Sequence, residues 1–289
     1  MKPAPFVYFA PQSLDEALSL LQDHGYEGKI LAGGQSLIPA MNFRLAQPAA
    51  LIDINRIGAL SYLEPAADGG VRIGAMTRQR TVERSETVAQ RAPLLHATMP
   101  YIAHVQIRNR GTIGGALAHA DPAAELPAVM VALNARFRLQ SVRGTRWVDA
   151  ADFYLGLFAT ALEVDELLVE IVVPPLPPRT GWSMQEIARR RGDYAIVGVA
   201  ATVALDADGR CRDARLVYLS VGDGPTQAQG AAAMLRGDAP TEASIAEAAH
   251  MAAQEIEPLG DIHATPAYRR QLIEVLGRRA LTAAAARAR

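Results

Sequence analysis

The alternation of apolar and polar positions divides the chain into three stretches of different rhythm. From residue 1 to 57 it reads as β–α–β. Ser13 suits an N-cap for a helix over residues 14–24, and Asp15 and Glu16 fall at that helix's positive end. Residues 29–32 predict a short strand, broken by Gly33 and Gly34. Ser36 then caps a predicted helix through residue 45, and residues 51–54 form another strand. From 58 to 177 strands and helices alternate again. Residues 71–76 predict a strand, 82–90 a polar helix, and 94–103 a helix weakened by Pro100. A glycine-rich turn at 111–115 precedes an apolar helix over about 127–135. Residues 136–140, 145–148 and 167–173 then read as strands.

Residues 174–178 read Pro-Pro-Leu-Pro-Pro, a stiff extended linker and the clearest boundary in the chain. Beyond it, residues 195–205 and 214–221 predict strands joined by a turn at 206–209. Two Ala-rich helices follow, at 241–255 and 266–285. Strands followed by helices predict an α+β module with a meander sheet. The expected division is therefore 1–57, 58–177 and 178–289.

Composition narrows the function classes. The 289 residues carry 29 Lys plus Arg against 30 Asp plus Glu, a net charge of −1, which favours neither a nucleic-acid nor a membrane-surface partner. The one cysteine, Cys211, forms no internal disulfide and cannot alone hold an iron–sulfur cluster. The N-terminus predicts no signal peptide, and the longest apolar stretch, 194–205, falls short of the roughly 20 residues a membrane span requires. A soluble, cytoplasmic protein is expected. The six histidines show no metal-ligand spacing, and no Gly-x-Ser-x-Gly elbow occurs.

Two glycine-rich segments carry the candidate chemistry. In Ala32-Gly33-Gly34-Gln35-Ser36, paired glycines between a strand and a helix permit close approach of a ligand, and a helix N-terminus offers free N–H groups to an anion such as a pyrophosphate. A plain tight turn explains the same residues. The second segment, Gly111-Thr112-Ile113-Gly114-Gly115-Ala116, offers small residues, a hydroxyl and a row of N–H groups. Asp121 and Glu125 follow it, either as acceptors for ribose or ribityl hydroxyls or simply as helix-start residues. Neither segment matches the Rossmann or P-loop pattern. Tyr194, after Arg189-Arg190-Arg191-Gly192-Asp193, suits either a flat aromatic ligand or a core position at a strand start.

Taken in order, these segments resemble the FAD-binding medium subunits of the carbon monoxide dehydrogenase and xanthine dehydrogenase family. Residues 32–39 are similar to its first flavin loop, 112–125 to its second, 192–195 to its flavin-flanking turn, and 268–281 to its last helix. The resemblance implies an α+β fold: a two-part PCMH-type FAD-binding domain of two small α/β subdomains, then a C-terminal antiparallel sheet with helices. It implies FAD held by Ala32, Gly33, Gly34, Gln35, Ser36 and Leu37 and by Gly111, Thr112, Ile113, Gly114, Gly115 and Ala116. Glu125 would bind flavin sugar hydroxyls, Ile102 and Leu168 would make apolar contacts, and Gln185, Asp193 and Tyr194 would lie near the flavin. Gln35 stands where many relatives have His, Ala116 where many have Asn or Asp, and Gln185 where some have Lys. These departures bear on affinity and redox tuning.

By the same resemblance the chain is one subunit of an oxidoreductase. Electrons from a molybdopterin-bearing large subunit would cross two 2Fe–2S centres of a small subunit to the FAD here, and pass on to an external acceptor. A dimer of such heterotrimers is expected. A stand-alone FAD oxidoreductase, or a scaffolding subunit that has lost its flavin, is the alternative.

Overall fold

A computed structural model describes residues 2–289. Three main sheets follow one another along the chain. In the first, strands Val7–Phe9, Ala50–Asp53 and Gly28–Leu31 lie parallel in that order. Helix Leu14–His24 packs on them, and Ser13 caps it by accepting from the Glu16 amide at 3.2 Å. Its buried face of Ala17, Leu18 and Leu21 meets Ile52, forming a small core that also takes in Met76, Leu167 and Val169. The first and second sheets therefore share apolar surface.

The second sheet is antiparallel, in the order Leu63–Pro65, Val71–Gly74, Leu167–Val173, Arg136–Ser141 and Gly144–Asp149. Helix Glu125–Ala132 is buried at every position, which is why its sequence is apolar all round. The polar helix expected at 82–90 is two helices, Gln79–Glu83 and Glu86–Arg91. Ser85 separates them because its hydroxyl accepts from the Val88 amide at 3.2 Å and starts a new N-cap. The helix expected at 94–103 stops at Thr98, and a 3-10 turn, Met99–Tyr101, carries Pro100.

The third sheet runs antiparallel in the order Thr180–Ala188, Ala195–Leu205, Cys211–Leu219 and Thr226–Gln227. Ala195–Leu205 is buried along its whole length. Met184, Ala195, Ala200, Val217 and Leu219 on one face join the core of the middle sheet. On the other face Val197, Val199, Ala201 and Val203 pack under Gln229–Leu235, Glu242–Glu255 and Pro266–Ala288. Burial on both sides explains why this strand reads as a continuous apolar run rather than an alternation.

Candidate functional site

The two glycine-rich segments, nearly eighty positions apart in sequence, touch each other. A Cβ on Gly33 would lie 2.6 Å from the Arg110 carbonyl oxygen, 2.7 Å from Gly111 Cα and 3.1 Å from the Thr112 nitrogen. Only glycine permits that approach. Gly34 has φ +72°, the left-handed region that glycine adopts without strain. The bend at residues 32–36 is held by the Gln35 side-chain amide, which donates to Gly33 O at 3.0 Å.

Two residues that the sequence did not mark tie the segments together. Asn55 donates to the Ala32 carbonyl at 2.8 Å and accepts from Arg78 at 2.7 Å, while Arg78 also donates to Arg110 O. Burial and the neighbouring Arg110 charge hold the Arg78 pKa below its ordinary value. Both residues lie outside any glycine motif, so pattern alone gave no signal for them.

The two segments present their backbones differently. In the first, the amides of Gly34, Gln35 and Ser36 donate to no acceptor among the described residues. Successive free amides of this kind form an anion-binding concavity. Ser36 does not cap the following helix with its side chain, and that helix is only Leu37–Asn42, shorter than expected. In the second, Gly114 and Gly115 are not a turn but the first turn of helix Ile113–His119, capped by Thr112. The amides of Ile113, Gly114 and Gly115 already donate to Thr77 O (3.0 Å), Ala75 O (2.9 Å) and Thr112 Oγ1 (3.1 Å). The expected row of free N–H groups is therefore spent internally. Gly114 serves packing, since its Cβ would meet Ala75 Cβ at 2.5 Å.

Beyond this backbone floor stand acidic and aromatic side chains. Glu125 opens helix Glu125–Ala132 and is 7% exposed. Burial, then the nearby Asp121 charge, pushes its carboxyl up to about 7. Tyr194 is exposed, and desolvation of its hydroxyl followed by the Asp121 charge pushes its pKa up. The turn before it leans on residues 103–104, because a Cβ on Gly192 would come 2.6 Å from the His104 ring. Residues 102 and 103 are fixed in turn by buried Arg108, which donates to Ile102 O (2.6 Å) and Ala103 O (3.1 Å) and grips both Glu83 oxygens (2.9 and 3.0 Å).

Glu186 joins this group although the sequence gave it no motif. Burial and then the charge of Glu125 push its carboxyl up to about 8, and its Oε2 is buried without a hydrogen-bond partner. Gln185, the neighbour named from the sequence, lies on the opposite strand face. It pairs in register with Val199 of the helix-side core, and its amide donates to Ser183 Oγ at 3.2 Å. Ile102 and Leu168 are buried at 8% and 3% exposure, so each offers only a sliver of apolar surface. Asp193 and Ala116 make no side-chain bonds among the described residues, Asp193 exposed and Ala116 partly buried.

Free amides on a glycine-rich loop, buried carboxylates and an exposed tyrosine are the groups that suit a ligand with a diphosphate, several hydroxyls and a flat ring. The comparisons agree. The model of the FAD binding domain in molybdopterin dehydrogenase matches residues 4–176, and that of the CO dehydrogenase flavoprotein C-terminal domain matches residues 182–284. The chain is 43% identical to the 6-hydroxypseudooxynicotine dehydrogenase complex subunit alpha of Paenarthrobacter nicotinovorans, over 100% of this chain and 97% of the relative. It is 39% identical to the carbon monoxide dehydrogenase medium chain of Hydrogenophaga pseudoflava, over 99% of each. Among solved structures, carbon monoxide dehydrogenase from Hydrogenophaga pseudoflava superposes with TM-score 0.96 at 40% identity, covering 99% of each chain. Quinoline 2-oxidoreductase from Pseudomonas putida 86 does so with TM-score 0.93 at 38% identity, again over 99% of each. This chain belongs to the FAD-binding medium subunits of the carbon monoxide dehydrogenase type of molybdenum hydroxylase.

Proposed function

We propose that the chain is the flavin-carrying electron-transfer subunit of a cytoplasmic heterotrimer, working between a small subunit with 2Fe–2S centres and a large molybdopterin subunit, with the trimer doubled. The contact of Gly33 with Gly111 carries the reading, because it joins the two glycine-rich segments into one backbone cradle beside the free amides of Gly34, Gln35 and Ser36. The residues fit FAD. Residues 32–37 and 111–116 would hold its diphosphate, chiefly through the free amides of Gly34, Gln35 and Ser36. Glu125 would accept from sugar hydroxyls, and Tyr194 would cover part of the ring and restrict access to it. FAD, when bound, supplies the step between one-electron donors and an external acceptor.

The modules read as 1–57, 58–177 and 178–289, joined at the last boundary by the proline run. The hairpin Tyr154–Gly156 and Ala159–Thr160 exposes Leu155, Leu157 and Phe158, and Phe158 packs on His119 of the second segment's helix, 5.1 Å between ring centroids. An apolar tip there offers a partner a docking face close to the cofactor. None of the helices is long and apolar enough to cross a membrane, among the described residues.

The test is isolation of the tagged chain with its native partners, followed by metal and flavin analysis. The expected product is a brown complex containing molybdenum, iron and FAD. Isolation of the chain alone, oxidising a substrate unaided, would overturn the subunit reading in favour of a stand-alone flavoenzyme.

A further inference from the structure

Three segments of the C-terminal module meet on one buried guanidinium. Arg269 lies near the start of helix Pro266–Ala288 and is 5% exposed. Its Nη1 donates to the carbonyls of Ile196 and Ser220, the latter at 2.6 Å, and its Nη2 donates to Asp261 Oδ2 at 2.6 Å. Each acceptor sits where regular structure stops. Ile196, two residues after Tyr194, is the unpaired residue of a β-bulge, because Ala188 pairs with Ala195 and Ile187 with Val197. Bulges interrupt the ladder and re-aim the side chains beside them. Ser220 follows strand Cys211–Leu219 with φ +62°, a conformation that a serine keeps only where its surroundings fix it, and its amide donates to Pro122 O at 2.9 Å. Asp261 orders the loop before the helix by also accepting from the amides of His263 (2.8 Å) and Ala264 (2.9 Å). That loop meets the tyrosine's turn a second time, since Arg189 donates to the His263 ring at 3.1 Å. Tyr194, Ser220, Leu259, Asp261, His263 and Arg269 line one cavity of about 650 Å³.

A buried guanidinium is costly to desolvate, and an apolar side chain would fill the same space without that cost. An apolar side chain could not hold three acceptors in fixed directions, which the planar fork of an arginine does. We propose that Arg269 is a positioning residue for Tyr194. By tying the bulge at Ile196, the left-handed Ser220 and the loop at Asp261 to one another, it sets the spacing between the tyrosine's turn and the segment at Pro122. That spacing decides how far the tyrosine covers the flavin ring. The proposal rests on the placing of Tyr194 against the ring. Tyr194 is itself exposed, so its own packing does little to hold it, and the main chain two residues on does more. Lysine at position 269 would keep the charge but replace the fork by a single point of donors, so bulge, serine and loop could not all be held.

The test uses the full chain loaded with FAD. The visible spectrum of the flavin is recorded, and the photoreduced flavin is mixed with excess ferricyanide, which takes one electron per ion and whose rate of reaction reports access to the ring. Tyr194→Ala is expected to shift the spectrum and speed reoxidation. Arg269→Lys should move both in the same direction, by about fivefold in rate, and should add nothing in the Tyr194→Ala background, the pattern of one residue acting through another. A lowered melting temperature in Arg269→Lys with wild-type spectrum and rate would reduce the residue to a structural role and overturn the proposal. Effects of the two substitutions that simply multiply would overturn it too. Asp261→Ala removes one arm at an exposed position and leaves both carbonyl bonds, so it should give a smaller change of the same sign. If Arg269→Lys does not fold, a wild-type spectrum and rate in Asp261→Ala overturn the proposal in its place. Wild-type behaviour of Tyr194→Ala would instead overturn the placing of Tyr194 on the ring.

Discussion

In the proposed site the loops that meet at Gly33 and Gly111 would hold a ligand with main chain, whereas Glu125, Glu186 and Tyr194 would meet it with side chains. Main-chain amides carry fixed partial charges whatever the pH, and their positions are set by the contact of one loop with the other. Side chains on the far wall can change charge, rotate or be replaced without moving the backbone. The floor is therefore rigid and intolerant, and the wall is adjustable. A site built this way can keep the first and vary the second.

The sharpest way to break this contrast is to push the loops apart. Gly33→Val places a branched side chain where even a Cβ lies 2.6 Å from a carbonyl oxygen, so FAD affinity should fall more than about 100-fold while the fold persists by circular dichroism. Retained yellow colour after purification would show that the loops need not touch. Removing one wall acceptor should cost less. Glu125→Ala loses charge-assisted bonds of roughly 1.5–3 kcal/mol, or about 10- to 100-fold in Kd by titration. Unchanged affinity would reduce Glu125 to a helix-start residue.

A smaller effect separates the two regions by pH. The folded pKa of Glu125 is raised to about 7, so the stability it contributes is complete below the ordinary carboxylate range and is lost as pH rises through about 7. In flavin-free protein, Glu125→Gln should therefore melt a few degrees above wild type at pH 8 and show no advantage at pH 5. Gly33→Val should show no such pH-dependent difference from wild type, because no titrating group is involved. The smallest energetic change belongs to Tyr194→Ala. An exposed tyrosine at the turn should alter stability by no more than about 0.5 kcal/mol, while the flavin absorption spectrum and acceptor rates change measurably. Wild-type spectra and rates would detach Tyr194 from the ring.

The same contrast decides what could be read from the sequence. Paired glycines announce close backbone approach, so both loops, the Ser13 cap and the all-buried strand Ala195–Leu205 were legible in the residues themselves. What the glycines do individually was not. Gly114 and Gly115 begin a helix because Thr112 caps it and Ala75 crowds it, and both causes lie in contacts distant from the motif. Asn55, Arg78 and Glu186 carry no pattern of their own, since their roles come from where the fold sets them. Strand Thr180–Ala188 went unread because it places Trp182, Met184 and Glu186 on one face and Ser183 and Gln185 on the other, with neither face cleanly apolar.

The meeting of Gly33 with Gly111 also sets a timetable. While the chain is being made, the first loop leaves the ribosome long before the segment that completes it, and Glu186 is made later still. The pairing of Val71–Gly74 with Leu167–Val173 imposes a similar delay on the sheet behind the cleft. An early fragment thus offers half a cradle with exposed amides and little to close on the cofactor. Loading at the proposed site would therefore be a late event, after nearly two thirds of the polypeptide has been synthesised, with flavin meeting a completed cradle rather than templating the first loop.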